Sequence, residues 1–443
     1  MAHDIIAWAT IATLGFSTLG CCALGLFVLA PARSITEART IHVVRATQMA
    51  SFLASMVMAV VWVGNGAKPQ FIRGFAWYRA ADYDFSLSLV ADALSVSTTV
   101  LTTSIVGLVS RFSRNYLHKE SGHYRFFALL ALFTTGMLAI TLAGSIDVLF
   151  AGWELVGTSS ALLIGFFRER IQPVAHGLRA FVTYRVCDLG LLLGAVLLHH
   201  YSHRADWAGA LSPMQWPLGV SHLGSTPALA IALLFLLGAM GKSAQFPLSG
   251  WLPRAMEGPT PSSALFYGAL SIHAGVILLL RVYPLLNEAP LSRYVIGVVG
   301  LCTAAIAAGS GRVQSDVKNR VGFATLAQVG LMFVEIALGW PRLAMIHLFA
   351  NALLRTWQML RAPSALQDTE RTHQALGGAQ QDEPPRGIEG FLPTTLQRRV
   401  YALALSRFHM DALLDKLVVR PVMALAQALA RVERRVNGWQ EPR

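Results

Sequence analysis

Eleven apolar runs, each long enough to form a membrane-crossing helix, constrain what this 443-residue chain can fold into. A helix needs about 20 residues to cross the hydrocarbon core of a bilayer. With 54% hydrophobic and 14% charged residues, the chain also has too few polar residues to cover soluble domains of this size. The sequence therefore predicts an all-α, polytopic membrane protein, with spans at residues 5–30, 46–64, 85–109, 126–143, 145–167, 178–200, 227–247, 262–286, 293–311, 321–339 and 342–360.

The basic residues of the loops predict the orientation of these spans. Loops after odd-numbered spans hold about twice as many Lys and Arg residues as the other loops, and such residues accumulate on the cytoplasmic side. We therefore expect an inner-membrane protein with its N-terminus outside and its C-terminus in the cytoplasm. The first run has no preceding Lys or Arg and no clear cleavage site, which indicates an uncleaved helix. The basic residues of the odd-numbered loops are Arg33, Arg39, Arg45, Arg111, Arg114, Lys119, Arg125, Arg168, Arg170, Arg179, Arg254, Arg312, Lys318 and Arg320.

The chain changes character after residue 361. Residues 362–394 are rich in Pro, Gly and charged residues, which predicts an exposed cytoplasmic linker. Residues 395–443 alternate apolar and basic residues at helical spacing, which indicates amphipathic helices on membrane lipid or on an acidic partner. The predicted organisation is a pair of helices and an extracytoplasmic loop at 1–84, a membrane domain at 85–361, the linker and the basic tail. Nothing in the pattern indicates a nucleic-acid partner.

Ionisable residues within the predicted spans are the strongest functional signal. A charge at the bilayer centre costs roughly 2.5 to 3.5 kcal/mol, so such residues usually mark an ion or proton route. Glu154 lies near the middle of the fifth span, either as a buried packing group or as a proton-binding carboxyl. Arg185 and Asp188 are three residues apart and share a face of the sixth helix, either as a structural ion pair or as a pair that tunes Glu154.

Lys242 lies where the seventh span is interrupted. Gly241 precedes the lysine and Pro247 follows it, and proline breaks or kinks a helix because it lacks an N–H group. Interrupted helices at membrane depth are typical of transport sites. Lys318 and His347 extend the polar series further along the chain, whereas His273 is as readily a packing residue.

The cysteines and glycines predict no further chemistry. Four cysteines lack paired spacing, and no glycine-rich nucleotide motif follows a strand-like run. We therefore expect no metal and no cofactor. The cysteines are Cys21, Cys22, Cys187 and Cys302.

Five motifs between residues 85 and 360 resemble one family. They are FAGWELVGTSSALLIGFF, AFVTYRVCDLG, GAMGKSAQFPLSGWLPRAMEGPTPSSAL, SDVKNRVGFATLAQVG and HLFANALLRTW. Together they are similar to the antiporter-like membrane subunits of respiratory complex I and of multisubunit cation/proton antiporters, closest to the L-type (subunit 5) branch. The resemblance implies a proton-channel domain at 85–361, built from two inverted five-helix repeats that each carry a lysine on a broken helix.

The resemblance also assigns roles to individual residues. It implies that Glu154 and Lys242 carry protons, that Arg185 and Asp188 are the sixth-helix pair, and that Lys318 and His347 are polar positions of helices ten and eleven. This chain departs from the family at three polar positions, which hold Tyr267, Asn351 and Arg355. It also has no counterpart of the second broken helix, so the resemblance implies an antiporter-like fold with a truncated second repeat.

This order of motifs, with a truncated second repeat, is similar to that of DabB-like membrane subunits of inorganic carbon uptake systems. That resemblance implies a proton- or sodium-conducting subunit whose partner is a DabA-like, zinc-containing protein related to carbonic anhydrases. The first alternative is an L-type subunit of complex I or of a related membrane-bound oxidoreductase. The second is a scaffold that anchors a cytoplasmic partner through its basic tail.

Overall fold

The computed structural model describes residues 1–27, 36–80, 83–203, 206–211, 216–362, 393–416 and 420–436. Arg33 and nearly all of the predicted linker at 362–394 lie outside these residues. The α-helices are α1 (Ala2–Phe27), α2 (Glu37–Gly64), α3 (Ala93–Tyr116), α4 (His123–Leu142), α5 (Ile146–Ile164), α6 (Ile171–Ser202), α7 (Trp207–Ala210), α8 (Ser225–Lys242), α9 (Thr260–Ser263), α10 (Ala274–Arg281), α11 (Tyr283–Glu288), α12 (Pro290–Arg312), α13 (Val317–Ala337), α14 (Pro341–Arg361), α15 (Thr394–Leu405), α16 (Met410–Leu414) and α17 (Arg420–Val436).

Ten described segments are long and apolar enough to cross a membrane, and they correspond to the first ten predicted spans. This confirms a polytopic helical membrane fold. The eleventh predicted span, 342–360, is helical as α14 but is not among the ten. Its polar side chains, which include His347, Asn351 and Arg355, make it the least apolar of the long helices between α1 and α14.

A β-hairpin interrupts the expected all-helical pattern. Strands β1 (Gln70–Ala80) and β2 (Tyr83–Ala91) pair in antiparallel fashion after α2. The predicted start of the third span at residue 85 is therefore wrong, since α3 begins at Ala93 with Asp92 as its N-cap. The alternation of polar and apolar residues in YDFSLSLVA is a strand pattern, because successive side chains of a strand point to opposite faces.

Contacts between loops show which loops lie at the same end of the helix bundle. On one face, Gln70 of the hairpin donates to the His3 carbonyl at 2.7 Å, and Arg73 pairs with Asp206 at 3.3 Å. On the other face, Glu37 contacts His118 at 2.8 Å. The N-terminus thus shares a face with loops after even-numbered spans, whereas loops after odd-numbered spans meet on the opposite face.

The segment from Thr260 to Arg281 occupies the centre of the bundle and is buried along its whole length. Its backbone is irregular, with a π-helical stretch at Ala264–Ala269 and a 3-10 turn at Ser271–His273 between α9 and α10. Irregular backbone at membrane depth is tolerated where protein surrounds it, because neighbouring groups satisfy the freed hydrogen bonds. The sequence pattern predicted a regular span here.

The C-terminal part returns to the transmembrane bundle through Asp411 on α16. Arg254 donates to both carboxylate oxygens of Asp411 at 3.1 and 2.8 Å, and Arg179 donates to one of them at 3.0 Å. Burial alone would raise the pKa of Asp411, but the hydrogen bond and charge of Arg254, with Arg179 beside it, hold that pKa below its usual value. The contact is therefore intact above a pH of about 3.9 and weakens only as the pH falls through the lower folded-state pKa.

Candidate functional site

Arg185 on α6 stands between two carboxylates. Its Nη1 atom is in ion-pair contact with Glu154 of α5. Its Nη2 atom lies 2.8 Å from Oδ2 of Asp188, one turn along α6, without the alignment of a hydrogen bond. The structure thus brings together the predicted pair and joins it to the predicted acid. Asp188 is only 6% exposed, whereas Glu154 is 27% exposed.

Lys242 is the most deeply buried of the predicted site residues, with 1% of its surface exposed. Its Nζ atom donates to the Trp153 carbonyl at 3.0 Å. The same atom lies 5.1 Å from the centre of the Trp153 ring and 4.7 Å from that of Tyr184. Electron-rich ring faces stabilise an ammonium group that has lost its water. No carboxylate of the described residues forms an ion pair with Lys242.

The predicted break of the seventh span falls at Lys242. Helix α8 ends there, Ala244 has a left-handed backbone with φ of 51°, and two 3-10 segments, Ser249–Trp251 and Pro253–Glu257, follow Pro247. The end of a helix leaves carbonyl groups without helical partners. The indole of Trp251 donates to the Gly241 carbonyl at 3.1 Å and satisfies one of them.

A continuous series of contacts connects the base to the acid. From Lys242 it passes to the Trp153 carbonyl, and the Trp153 indole donates to Asp188 at 2.6 Å. From Asp188 it passes through Arg185 to Glu154. We call these five residues the Lys242 cluster. Its three helices bring two acids and two bases together, which sequence spacing alone cannot show.

Gly157 on α5 makes room for the two bases of this cluster. A Cβ atom at position 157 would lie 2.8 Å from Lys242 Nζ and 3.1 Å from Arg185 Nη2. The hydrogen side chain of glycine therefore allows both cationic groups to approach the same turn of α5. Sequence reasoning missed this residue, although it lies three positions after Glu154 and on the same helix face.

Several buried polar atoms on α6 and in the chain between Lys242 and α10 have no hydrogen-bond partner among the described residues. They include the hydroxyls of Tyr184 and Tyr267 and the side-chain oxygens of Gln245, Ser263 and Ser271. The Trp251 ring lies between the two tyrosine rings. Its centre is 4.9 Å from the centre of the Tyr184 ring and 5.8 Å from that of the Tyr267 ring. Unpaired polar groups are rare in protein interiors and each calls for an explanation, such as hydration or a functional role.

A second polar group joins the central segment to α14. His273 donates from Nδ1 to the Ala269 carbonyl at 2.5 Å, and its Nε2 atom lies 3.1 Å from the Asn351 amide. Arg355 in turn donates to the Asn351 side chain at 3.2 Å. Both ring nitrogens of His273 are thus engaged. His273, Asn351 and Arg355, treated separately at the sequence level, form one network.

His347 lies one helical turn before Asn351 on α14 and contacts α13. Its two ring nitrogens are each 2.8 Å from a side-chain oxygen, one of Glu335 and one of Gln328. A ring with protons on both nitrogens would donate to both acceptors. Glu335 was missed by the sequence analysis, although a carboxyl within a predicted span is the signal that identified Glu154.

Lys318 lies in the first turn of α13 and not beside Lys242. Its Nζ atom donates to the Thr260 hydroxyl at 2.7 Å, and Tyr116 contacts the same hydroxyl at 3.2 Å. The structure therefore does not bring Lys318 or His347 into direct contact with the Lys242 cluster.

Two further ion pairs connect predicted spans. Arg281 contacts both carboxylate oxygens of Asp92 and donates to the Ser95 hydroxyl at 2.7 Å. His199 lies 3.1 Å from Asp147. All four titratable residues lie within predicted spans. The free-energy cost of a charge within the bilayer, which identified Glu154, would therefore have identified them as well. Their pairing spans long stretches of sequence and is visible only in the structure.

The sequence matches two families of known proteins. Residues 143–381 match the family described as NADH:quinone oxidoreductase/Mrp antiporter, TM. Residues 77–127 match the family described as NADH-Ubiquinone oxidoreductase (complex I), chain 5 N-terminus. Because the first match covers more than half of the sequence, the chain belongs to the NADH:quinone oxidoreductase/Mrp antiporter transmembrane family. The resemblance to antiporter-like subunits is thereby confirmed.

Sequence similarity to individual proteins of known name supports the same family. The chain is 30% identical to NAD(P)H-quinone oxidoreductase chain 5 of Picosynechococcus sp., covering 85% of this chain and 57% of the relative. It is 35% identical to NADH-quinone oxidoreductase subunit L of Rhodobacter capsulatus, covering 71% of this chain and 46% of the relative. The chain thus spans about half the length of the curated relatives it matches.

Solved structures share the fold. A chain of the Mrp complex from Dietzia sp. is similar with a TM-score of 0.66 and 25% identity, over 88% of this chain and 40% of that chain. A chain of an archaeal membrane-bound sulfane sulfur reductase is similar with a TM-score of 0.68 and 14% identity, over 92% of this chain and 85% of that chain. The antiporter-like fold expected from the sequence is confirmed.

Proposed function

We propose that this chain translocates protons as a membrane subunit of a multisubunit complex, with the Lys242 cluster as its proton-binding site. The observation that supports this proposal is the unbroken series of contacts from a buried lysine to a partly exposed glutamate. A site that loads and unloads protons needs an acid and a base that respond to each other's charge. The series supplies both on separate membrane helices.

The charge balance of the cluster couples the release of one proton to the uptake of the next. With Lys242 protonated, the two bases offset the charges of Glu154 and Asp188. When Lys242 releases its proton, the cluster carries one net negative charge, which is costly in a medium of low dielectric constant and favours uptake of the next proton. Arg185 keeps its charge throughout and contacts both carboxylates. The unpaired hydroxyl of Tyr184, whose ring lies beside Lys242, supplies a group that can hold water along the route.

The relatives support the oxidoreductase alternative better than inorganic carbon uptake. Their names describe subunits of quinone oxidoreductases and of an Mrp complex, so a multisubunit complex is the setting we propose for this chain. We place it in the inner membrane with the face that carries the odd-numbered loops in the cytoplasm, following the excess of basic residues there. Sodium in place of the proton is an outcome that the experiment below distinguishes.

Inorganic carbon uptake with a DabA-like zinc subunit remains the second proposal, and one observation favours it. After α14 the described chain continues with α15, α16 and α17 and docks Asp411 against the bundle. On this proposal, the docked tail forms part of the cytoplasmic surface to which a large partner binds. Such a partner would carry the carbon chemistry, and this chain would couple that chemistry to the proton or sodium gradient.

Purification of the tagged full chain with its native partners distinguishes these proposals. Co-purification of quinone oxidoreductase or Mrp-type subunits supports the first proposal, and co-purification of a single large zinc protein supports the second.

The isolated complex is then reconstituted in vesicles, with a pH-sensitive dye inside and sodium present or absent. Proton uptake that does not depend on sodium is expected. A complex that binds partners but moves neither ion would contradict both and support the scaffold alternative.

The packing at Gly157 gives a test of the site itself. Gly157→Ala is expected to lower proton uptake several-fold, because the added methyl group displaces Lys242 and Arg185 from their positions. Alanine is a better helix former than glycine by about 1 kcal/mol, which offsets part of the cost of this displacement, so the variant should still fold. Gly165→Ala is the matched control, since its Cβ would meet other atoms only at 3.7 Å or beyond. Equal uptake by the two variants would contradict the assigned packing.

A further inference from the structure

A groove lies between α2 and α3, on residues that the proton path does not use. Its volume is about 600 Å³, and Phe127 of α4 completes its lining. Two of its lining side chains are about half exposed, Met49 at 50% and Leu108 at 54%. Such apolar side chains at the surface of a membrane helix face the acyl chains of the bilayer.

Three arginines line this groove. They are Arg45 of α2 and Arg111 and Arg114 of α3. No carboxylate of the described residues pairs with any of them, and none lines the groove. All three lie on the face that holds the odd-numbered loops, near the end of α3. The groove therefore concentrates three uncompensated positive charges at one membrane surface.

The rest of the groove extends from these charges into the hydrocarbon. Thr103 and Arg114, which both line it, are separated by about 16 Å along α3, because an α-helix rises 1.5 Å per residue. That length is about half of the 30 Å hydrocarbon core, or one leaflet. Apolar Phe52 and Leu108 line the wall between the two ends. The side-chain amide nitrogen of Gln48 is also buried there without a hydrogen-bond partner in the described chain.

We propose that this groove binds one anionic phospholipid of the bilayer. The phosphate group lies among the three arginines, and one acyl chain lies along α3 past Gly107. Arginine binds phosphate through its planar, forked donors, and the apolar wall contacts the chain. Basic pockets between membrane helices at the cytoplasmic surface are typical binding places for anionic lipid headgroups. A free phosphate ion would use the arginines and leave the wall without a role.

Removal of the three charges tests the headgroup site. The purified full chain is titrated with phosphatidylglycerol and followed by native mass spectrometry. The triple variant Arg45→Gln, Arg111→Gln, Arg114→Gln is expected to bind about 100-fold more weakly, since each basic residue contributes about fivefold in affinity near an anionic surface. The control removes three positive charges elsewhere on the same face, by Lys119→Gln, Arg168→Gln and Arg361→Gln. Equal weakening in the control would show a diffuse charge effect and overturn the proposal.

Occlusion of the acyl part of the groove tests the lipid as the occupant. Gly107 lines the groove, and a Cβ atom there meets nothing within 4 Å, so Gly107→Phe adds a bulky side chain without a clash at its Cβ and keeps all three arginines. Phosphatidylglycerol binding should fall at least tenfold. Gly15→Phe on α1 is the matched control, because its Cβ also meets nothing within 4 Å.

Three further outcomes would overturn the proposal. If inorganic phosphate competes fully with phosphatidylglycerol and Gly107→Phe has no effect, the groove is an anion site and not a lipid site. If phosphatidylcholine binds as tightly as phosphatidylglycerol to the wild type and to the triple variant, the arginines do not select the headgroup. Cross-linking of a cysteine at Leu108 to another subunit of the native complex, with no lipid retained, would show that protein covers the groove.

Discussion

Lys242→Met should reduce proton uptake by reconstituted complex at least tenfold while the chain still inserts and folds. Methionine has a length and volume close to those of lysine, so it fills the space between Trp153 and Tyr184 without leaving a large cavity. It cannot carry a proton, and the cluster then keeps an excess negative charge at all times. The measurement is the initial rate of dye quenching in vesicles under an imposed potential.

Glu154→Gln is the companion variant at the other end of the series. Glutamine keeps the shape of the side chain and can still accept a hydrogen bond from Arg185, but it does not exchange a proton at the pH of the assay. A loss similar to that of Lys242→Met is expected. Lys119→Met, on an exposed loop, serves as the control for removal of a lysine. Wild-type uptake in both cluster variants, at matched protein levels, would disprove the proposed route.

Arg281→Met should destabilise the folded chain by about 3–5 kcal/mol, because it leaves Asp92 buried without its counter-charge. Both side chains are under a tenth exposed, at 8% for Arg281 and 6% for Asp92. Asp92 also accepts a hydrogen bond from the Ser95 amide at 2.8 Å and caps α3. The measurement is thermal unfolding of detergent-solubilised protein, with the yield of inserted chain as a second readout.

The double variant separates charge burial from packing. Asn at position 92 keeps the cap on α3 but carries no charge, so Arg281→Met combined with Asp92→Asn should recover much of the lost stability. A double variant as unstable as Arg281→Met alone would mean that packing of the arginine side chain, and not the ion pair, stabilises this region.

The parts of the site that local spacing determines could be predicted from the sequence. Arg185 and Asp188 lie one helical turn apart, and Pro247 predicts an interruption of the seventh span near Lys242, where α8 ends. Apolar runs likewise determined ten spans, because a bilayer permits few alternatives.

The parts that depend on packing between distant segments could not be predicted. The contact of Arg185 with Glu154 requires a particular rotation of α5 against α6, and the position of Gly157 beside both bases follows from that rotation. The pairing of Arg281 with Asp92 joins the central segment to the cap of α3. The hairpin was missed because the apolar residues of β2 merge with those of α3, and length alone favoured a single helix.

The Asp411 contact makes the tail a mechanical link to the interior. Arg254, which holds the carboxylate, belongs to the 3-10 segment Pro253–Glu257, within a dozen residues of the end of α8. A partner that moves α16 away from the bundle must therefore either break the arginine contacts of Asp411 or move this 3-10 segment with it. In the second case a displacement at the membrane surface becomes a strain on the backbone that positions Lys242.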